Sequence, residues 1–364
     1  MMKLMMLLLL LLVVGVVDLF VLWKLRYAFK LLTIPADVDD KKDADLPTVT
    51  ICISARNETH AMTQCLERVV ATEYPKLEVI VLDDGSRDNT SLLIKSFAHA
   101  GVRFIEGKAL PDGWLGKNYA QSLLAEEANG KYVFFLDVDT LIERHTVRRA
   151  VGYLLAKNVK MLSIIPIRDD NWHLSTLFAT MRHFWTIMRF RPVKPRAAAN
   201  AWLVDRQSLI NCFRDDPQLA QSMEVETTIA RYLAESHEYR LALSNKDLGL
   251  RYEKRWSSQV ETSLRLLYPQ CGKHWYQVVG LAFLLALTVM PYVLVWFNAW
   301  AWIVVVLQLY ISYFHLSRIW TRYRLVGALL LPFTLVQEII LLFSSMYKYR
   351  TNSVTWKGRP IATR

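Results

Sequence analysis

The sequence predicts an α/β domain with a mostly parallel sheet flanked by helices, placed between N-terminal and C-terminal transmembrane helices. Three observations carry this prediction: strand-like and helix-like segments alternate from 49 to 136, a long apolar run lies near the N-terminus, and residues 276–346 are again largely apolar. The chain has 364 residues, of which 53% are hydrophobic and 21% charged, with a net charge of +11. This composition is too apolar for a disordered chain and too charged for a bundle of membrane helices alone.

The apolar run near the N-terminus is long enough to cross a membrane. Leu4 to Trp23 contains one charged residue, Asp18, and at about 1.5 Å per residue it covers a hydrocarbon core of about 30 Å. The run is too long for a cleaved signal peptide, so it predicts an anchor. Lys24, Arg26 and Lys30 follow, which predicts a cytoplasmic domain after the helix and an outer N-terminus. Asp18 is expected near the membrane interface rather than against another helix.

The central part of the chain alternates between strands and helices. Strands are predicted at Val49–Ser54, Leu77–Leu82, Val102–Ile105, Tyr132–Leu136 and Met161–Ile167, and helices at Met62–Ala71, Asn89–Ala100 and Asn118–Ala128. This order requires crossover connections and therefore favours a parallel sheet with helices on both faces. A further helix at Trp172–Phe190 carries an apolar stripe, and we expect it to contact the membrane or, alternatively, the protein's own core.

Two aspartates follow the most apolar of these strands. Tyr132–Leu136 runs directly into Asp137 and Asp139, at the strand end where ligands bind in open α/β sheets. Such a pair either stabilises a turn through hydrogen bonds from its side chains or binds a divalent cation. The residues alone favour neither interpretation.

Three further polar segments lie at the same predicted edge of the sheet. Residues 54–58 (SARNE) follow the first strand, residues 83–86 (DDGS) follow the second, and residues 116–118 (GKN) begin the helix that leads to the fourth. Acidic groups there can bind a base or ribose, Lys117 can meet a diphosphate, and the two aspartates can hold the bridging cation. Their shared location indicates a nucleoside diphosphate site, although each segment could individually be a turn or a solvated helix start.

Cysteines, histidines and basic residues exclude other classes of site. The four cysteines have no metal-ligand spacing, and the eight histidines form no zinc-binding pattern, so we expect reduced thiols and no zinc site. The basic residues lie beside apolar segments, which favours an anionic membrane surface over nucleic acid as the partner.

Four ordered motifs carry a family resemblance. They are ARNE at 55–58, LDDGSRDNT at 82–90, LPDGWLGKNYA at 110–120 and FLDVDT at 135–140. Together they resemble the family 2 glycosyltransferases of GT-A fold, and more narrowly the membrane-associated branch that includes carotenoid- and hopanoid-associated glycosyltransferases. The resemblance covers about Thr48 to Arg255 and the tail motif WKGR at 356–359.

The resemblance implies roles for the donor-side residues. Asp83 or Asp84 would contact uridine, Lys117 the pyrophosphate, and Asp139, with Asp137 beside it, an Mn²⁺ or Mg²⁺ ion. The implied nucleotide-sugar-binding set is Ala55, Arg56, Glu58, Asp83, Asp84, Lys117 and Asp137.

The resemblance also implies a general base, and here the chain departs from the family. The usual Glu-Asp pair precedes a Leu-Ala-Arg sequence, and aligning residues 229–231 (IAR) with it places Glu226 on the catalytic position. Another register makes Glu224 the base, and either could be a first-turn carboxylate favoured by the helix dipole. The Q-x-x-R-W motif of processive members is absent around Arg255, which favours a single transfer.

The C-terminal part contains three candidate membrane segments, Val278–Trp296, Trp302–Phe314 and Leu325–Met346, followed by a basic tail. Three crossings would place that tail outside, whereas basic residues favour the cytoplasm. We therefore expect one segment to lie in the interface or to re-enter the membrane. The expected organisation is an anchor at 1–30, a linker at 31–47, a cytoplasmic catalytic domain at 48–275, membrane segments at 276–346 and a cytoplasmic tail at 347–364.

The expected function is an inverting, metal-dependent transfer of a single sugar from a UDP-sugar to a hydroxyl or carboxyl of a lipid-like acceptor. It would occur at the cytoplasmic face of the cell membrane, in a multi-pass protein. Two alternatives remain open: a polyprenyl-phosphate sugar synthase, and a non-catalytic membrane scaffold that retains the fold.

Overall fold

The computed structural model describes residues 2–34, 42–169, 177, 181, 183–192, 195–320, 322–357 and 359–360. The chain divides into two compact units. Leu31–Ile167 and Arg189–Glu253 form the sheet unit, and Met1–Lys30, Arg168–Met188 and Lys254–Arg364 form the helical unit.

A seven-stranded sheet organises the sheet unit. Its strands are β1 (Val49–Ala55), β2 (Leu77–Asp83), β3 (Val102–Glu106), β4 (Tyr132–Leu136), β6 (Met161–Ile165), β8 (Ala201–Asp205) and β9 (Tyr239–Leu243), and three shorter strands, β5 (Thr140–Leu141), β7 (Ile167–Arg168) and β10 (Arg251–Tyr252), form a second sheet. The order in the large sheet is β3-β2-β1-β4-β8-β6-β9. All neighbours are parallel except β8, which pairs antiparallel with β4 and β6. The predicted fold class is therefore confirmed.

Helices cover the sheet because their apolar residues recur at helical spacing. The helices of this unit are α2 (Thr59–Val70), α3 (Thr90–Ser96), α4 (Gly116–Glu127), α5 (Thr146–Ala156), α7 (Arg206–Asp215) and α8 (Val225–Glu235). In α2, for example, Met62, Cys65, Leu66 and Val69 are fully buried. Together with β1, β4 and α5 they form one continuous apolar core.

The helical unit contains the long apolar helices. These are α1 (Met2–Leu32), α9 (Trp256–Gln270), α10 (Trp275–Leu294), α11 (Ala301–Ile319), α12 (Arg324–Leu329) and α13 (Leu331–Arg350), together with the short α6 (Phe184–Arg189) and the tail strands β11 (Thr355–Trp356) and β12 (Arg359–Pro360). Three helices in the described ranges are long and apolar enough to cross a membrane: Met5–Leu32, Trp275–Leu294 and Ala301–Ile319. Helix α13 is not one of them.

Helix α13 instead has two different faces. One face is buried and carries the polar groups Glu338 and Ser345, and Glu338 accepts a hydrogen bond of 2.9 Å from the indole of Trp185. The other face exposes five large apolar side chains at helical spacing, namely Phe333, Val336, Ile340, Phe343 and Tyr347. Lys348 and Arg350 lie in its last turn.

Several expectations need correction or lie outside the described residues. Asp18 is 5% exposed and hydrogen-bonds Gln308 of α11, so it faces another helix rather than the interface. Helix α1 extends to Leu32, so the linker begins later than 31, and residues 35–41 of it are outside the described ranges. Nine of the nineteen residues of the predicted helix Trp172–Phe190 also fall outside them, and its described helical part is α6.

Candidate active site

The end of β4 places two aspartates at the sheet edge. All five residues of β4 are buried, and the backbone N–H of Asp137 donates to the carbonyl of Asn200 at 2.9 Å, which extends the pairing with β8. The backbone N–H of Thr140 then donates to the carbonyl of Asp137, closing a turn. Val138 is 3% exposed and belongs to the core, whereas Asp137 and Asp139 on either side are half-buried.

Lys117 and Asn200 surround the first of these carboxylates. The Nζ atom of Lys117, in the first turn of α4, lies 2.7 Å from Oδ1 of Asp137, and the Nδ2 atom of Asn200 lies 3.5 Å from Oδ2. The charge of Asp137 is therefore offset by a neighbouring ammonium group. The second aspartate, Asp139, follows two residues later and is likewise half-buried.

The two aspartates fit a hard divalent cation through the chemistry of their donor atoms. Mg²⁺ and Mn²⁺ prefer oxygen ligands, and Mg²⁺ typically takes one or two carboxylates and completes its shell with water and substrate phosphates. No cluster of three or more His, Cys, Asp or Glu side chains with metal-binding geometry occurs among the described residues. The donor atoms of Asp137 and Asp139 are thus of the type that these ions bind.

The loops after β1 and β2 meet beside this turn. Ala55 and Asp83 pair in register, and both oxygens of the Asp83 carboxylate accept hydrogen bonds, Oδ1 from the backbone and hydroxyl of Ser86 and Oδ2 from the hydroxyl of Ser91. The Asp83 carboxylate thus stabilises the turn that leads into α3, and Asp83 itself lies at the carboxyl end of β2.

Arg56 and Asp84 form a second contact between these loops. The Arg56 guanidinium donates to the backbone carbonyl of Asp84 and lies 3.8 Å from its carboxylate. Both residues are 8% exposed. A buried guanidinium with a paired carboxylate is rigid, because separating the two charges would leave one uncompensated.

Asp88 joins the loop after β2 to the start of α2. Its carboxylate accepts from the hydroxyl of Thr59 at 2.5 Å and from the backbone and hydroxyl of Thr90 at 3.0 and 2.6 Å. Burial alone would raise the pKa of Asp88, but these hydrogen bonds outweigh it and lower the pKa to about 2. Thr90 also accepts from the backbone N–H of Glu58 at 2.9 Å, so Glu58 is positioned through its main chain.

Glu226 lies in the first turn of α8 and is 6% exposed. Burial raises the pKa of Glu226 to about 7, the positive charge of Lys117 acts in the opposite direction, and Glu224 and Asp137 raise it further. A carboxyl group with a pKa near neutrality is suited to accept a proton from a substrate. Lys117 and Asp137 thus both act electrostatically on Glu226.

Glu224 has a different environment. Its carboxylate lies 2.5 Å from the Arg196 guanidinium, and its carbonyl accepts from the backbone of Thr227 and Thr228 at the start of α8. Glu224 is therefore ion-paired, whereas the Glu226 side chain is buried.

Sequence reasoning included Asn118 in the polar segment 116–118 but gave it no role of its own. This residue follows Lys117, is 4% exposed, and donates from Nδ2 to the carbonyls of Leu219, Ala220 and Ser222. The only signal in the sequence was an asparagine next to Lys117 at the start of a helix. Asparagine is also common at exposed helix ends, so this signal did not indicate a buried side chain.

Comparison with known proteins supports a glycosyltransferase domain. The family model described as glycosyl transferase family 2 matches residues 50–210. The chain is 28% identical over 121 residues to glycosyltransferase AglE of Haloferax volcanii, covering 32% of this chain and 38% of AglE. It is 30% identical over 96 residues to the poly-beta-1,6-N-acetyl-D-glucosamine synthase of Staphylococcus epidermidis, covering 26% of this chain and 22% of the synthase. The chain thus spans well under half the length of these relatives.

A solved structure resembles almost the whole chain. It is the mannosyltransferase PcManGT from Pyrobaculum calidifontis in complex with GDP-Man and Mn²⁺, with a TM-score of 0.57, 17% identity, and coverage of 93% of this chain and 97% of that one. At this identity the likeness establishes the fold, which is GT-A. The finer resemblance to the carotenoid and hopanoid branch stays a prediction.

Proposed function

We propose that this chain, whose residues 50–210 are a family 2 glycosyltransferase domain, transfers a single sugar from a nucleoside diphosphate sugar to a lipid-like acceptor. The observation that carries the proposal is a buried carboxyl group with raised pKa, Glu226, on which Lys117 and Asp137 both act electrostatically; the side chains of these two residues lie 2.7 Å apart at the carboxyl edge of the sheet. One group can accept a proton, and the others can bind an anionic leaving group.

The donor side of the reaction needs positive charge where the nucleoside diphosphate departs. The ammonium group of Lys117 supplies it in the first turn of α4, and the N-terminal end of that helix adds a favourable dipole. Asp83, Asp84 and Arg56 border the same edge, where we assign them to the nucleoside. UDP is the proposed nucleotide, and comparison with GDP in binding measurements tests that choice.

We assign the metal to Asp139 with Asp137 beside it, and Mn²⁺ or Mg²⁺ as the ion. When bound there, the cation neutralises negative charge on the nucleoside diphosphate. The Nζ atom of Lys117 lies 2.7 Å from Oδ1 of Asp137, so the cation and this ammonium group would act on the same diphosphate.

The acceptor side requires one proton to be removed. In its ionised form, Glu226 takes that proton from an acceptor hydroxyl, and the oxygen attacks the anomeric carbon on the face opposite the leaving group. A single displacement of this kind inverts the configuration of the sugar. An acceptor carboxylate would arrive already ionised and would depend less on Glu226.

A membrane location supports a lipid acceptor. Three helices are long and apolar enough to cross a bilayer, and the chain carries a net charge of +11. Basic residues near an anionic surface each contribute about 1 kcal/mol of binding. We propose a multi-pass protein of the cell membrane whose sheet unit is cytoplasmic.

The experiment that tests the proposal is donor turnover by membranes containing the full chain. The membranes receive a panel of UDP- and GDP-sugars with Mg²⁺ or Mn²⁺, and mass spectrometry identifies new glycolipids. Asp139→Asn should reduce transfer by about 10²-fold or more, a loss typical of a removed electrostatic stabiliser. Asp45→Asn, which changes an exposed carboxylate before β1, serves as the matched control and should keep its activity.

Two results would contradict the proposal. Full transfer by Asp139→Asn would remove the metal assignment, and absence of nucleoside diphosphate release with every donor would favour the scaffold alternative. The variant Glu226→Gln distinguishes the proposed transfer to a hydroxyl from the remaining alternative. Activity that survives it indicates an acceptor that is already ionised, as in a polyprenyl-phosphate sugar synthase.

A further inference from the structure

We propose that Asn118 is a positioning residue that holds the general base at a fixed distance from the donor-binding lysine. This inference rests on the proposed function, because it assigns Asn118 a role in the same transfer. Asn118 touches neither proposed substrate. It acts through the main chain that leads into α8.

The contacts of Asn118 are concentrated on one short segment. Its Nδ2 atom lies 2.8, 3.2 and 2.9 Å from the carbonyl oxygens of Leu219, Ala220 and Ser222. An amide NH₂ group has two N–H bonds, so three acceptors at these distances share them. Residues 217–221 form a short 3-10 helix, and the carbonyl groups at its end accept hydrogen bonds from this side chain.

The start of α4 contacts both sides of the site at once. Lys117 extends to Asp137 at 2.7 Å, whereas the next residue, Asn118, extends to residues 219–222. The backbone N–H of Leu115 also donates to the carbonyl of Ala220 at 2.9 Å. The backbone N–H of Leu115 and the side chain of Asn118, one on each side of Lys117, thus both attach residues 219–222 to the start of α4.

The segment attached by Asn118 leads directly to the base. Glu226 follows Ser222 by only four positions in the chain, and the hydroxyls of Ser222 and Thr228 lie 3.2 Å apart across the start of α8. A shift of residues 219–222 would therefore move Glu226. Because a displacement of about 1 Å in a reacting group can cost about 10²-fold in rate, this attachment has direct chemical importance.

A second buried amide on α4 provides a control. Gln121 is 2% exposed, and its Oε1 atom has no hydrogen-bond partner in the part of the chain that the structure describes. Replacing it tests the general effect of losing a buried amide from this helix. Asn118 differs from it because its amide is bonded to the segment before α8.

The experiment compares Asn118→Asp, Asn118→Ala and Gln121→Ala in the full chain. Asn118→Asp keeps the size of the side chain but replaces the donor with oxygen atoms that repel the three carbonyls. We expect both Asn118 variants to lose about tenfold or more in kcat with the donor KM within about threefold of wild type, as for a loss expressed only in the transition state. Gln121→Ala should keep both constants within about threefold.

Hydrogen–deuterium exchange measures the attachment without requiring turnover. The amides of residues 219–228 should exchange faster in both Asn118 variants, while those of β1 and β4 keep their wild-type rates. If the wild-type chain transfers no sugar, the proposed function fails, and the exchange result still decides whether Asn118 holds this segment. Unchanged exchange at 219–228, or an equal loss of kcat in Gln121→Ala, would overturn the inference. Should Asn118→Ala not fold, Asn118→Asp provides the same comparison.

Discussion

The protonation state of Glu226 controls when the proposed base can act. Burial raises its pKa to about 7, and Lys117 limits that rise. Below this pH the group is protonated and cannot accept a proton, and above it the group is ionised. We therefore expect log kcat for a hydroxyl acceptor to rise with pH up to about 7 and then to level off, as measured by initial rates of nucleoside diphosphate release.

Two variants test the assignment of this pH dependence. Glu226→Gln should lose the activity, and Glu224→Gln should keep the rising limb but lower its midpoint, because removing a negative charge favours ionisation of Glu226. A rising limb that persists in Glu226→Gln would contradict the assignment. The pKa of Glu226 is raised from its usual value of 4.5 to about 7 in the folded chain, so the unfolded chain releases this proton first. Wild type should therefore lose thermal stability relative to Glu226→Gln as the pH rises from about 4.5 to about 7, with no further loss from this group at higher pH.

At the residue scale, the sequence pointed to charged groups more readily than to neutral ones. Asp137 and Asp139 were considered because they directly follow an apolar strand, and Glu226 because a family motif placed it; their roles stay predictions. The contrast between Glu226 and Glu224 required the structure, since only the folded chain shows that one is buried and the other is paired with Arg196. Asn118 was given no role of its own because its three acceptors are main-chain carbonyls about a hundred residues away.

At the scale of elements, local patterns located the parallel strands accurately. The predicted and observed limits of the strand ending at Leu136 are identical, and those of β1 and β2 differ by one residue. Strand β8 was not predicted, although it occupies the sheet between β4 and β6. Its position depends on antiparallel pairing with two distant strands, and such pairing leaves little signal in a five-residue segment.

After β3, the chain passes close to the end of β2 at Gly107, and a substitution there tests how important this close approach is. A Cβ atom at Gly107 would lie 2.7 Å from the carbonyl oxygen of Asp83 and 3.1 Å from Cα of Asp84. Both are main-chain atoms, so Gly107→Ala must displace the loop after β2. We expect a loss of about 1–3 kcal/mol in unfolding free energy, as for other overpacked sites, together with weaker nucleotide binding.

Denaturant unfolding and UDP titration measure these two effects. Lys108→Ala, at the exposed neighbouring position, is the matched control and should change the unfolding free energy by less than about 0.5 kcal/mol. If Gly107→Ala leaves both stability and nucleotide binding unchanged, the loop after β2 can move without loss of free energy. The close approach to Asp83 would then not determine the shape of the nucleotide site.

At the scale of the whole molecule, the C-terminal helices indicate on which side of the membrane the basic tail lies, a point on which two sequence-based expectations disagree. Three C-terminal crossings would place the basic tail outside, against the tendency of basic residues to remain in the cytoplasm. Only α10 and α11 among the described C-terminal helices have the length and apolarity of a span. Helix α13 buries Glu338 on one face and ends in Lys348 and Arg350. We therefore propose two C-terminal crossings, with α13 on the cytoplasmic side and its exposed apolar stripe in the interface.

The native cysteines allow this topology to be measured. Cys52, Cys65, Cys212 and Cys271 are all buried, so the unmodified chain should react little with a thiol reagent and provides the background. Ala299, between α10 and α11, and Ser353, after α13, are both exposed. With two crossings, a membrane-impermeant maleimide should label Ala299→Cys on intact cells and Ser353→Cys only after permeabilisation. Labelling of Ser353→Cys on intact cells would instead require α13 to cross the membrane. Glu338, on the buried face of α13, would then lie within the bilayer, and its hydrogen bond with Trp185 would have to offset the free-energy cost of burying that carboxyl group.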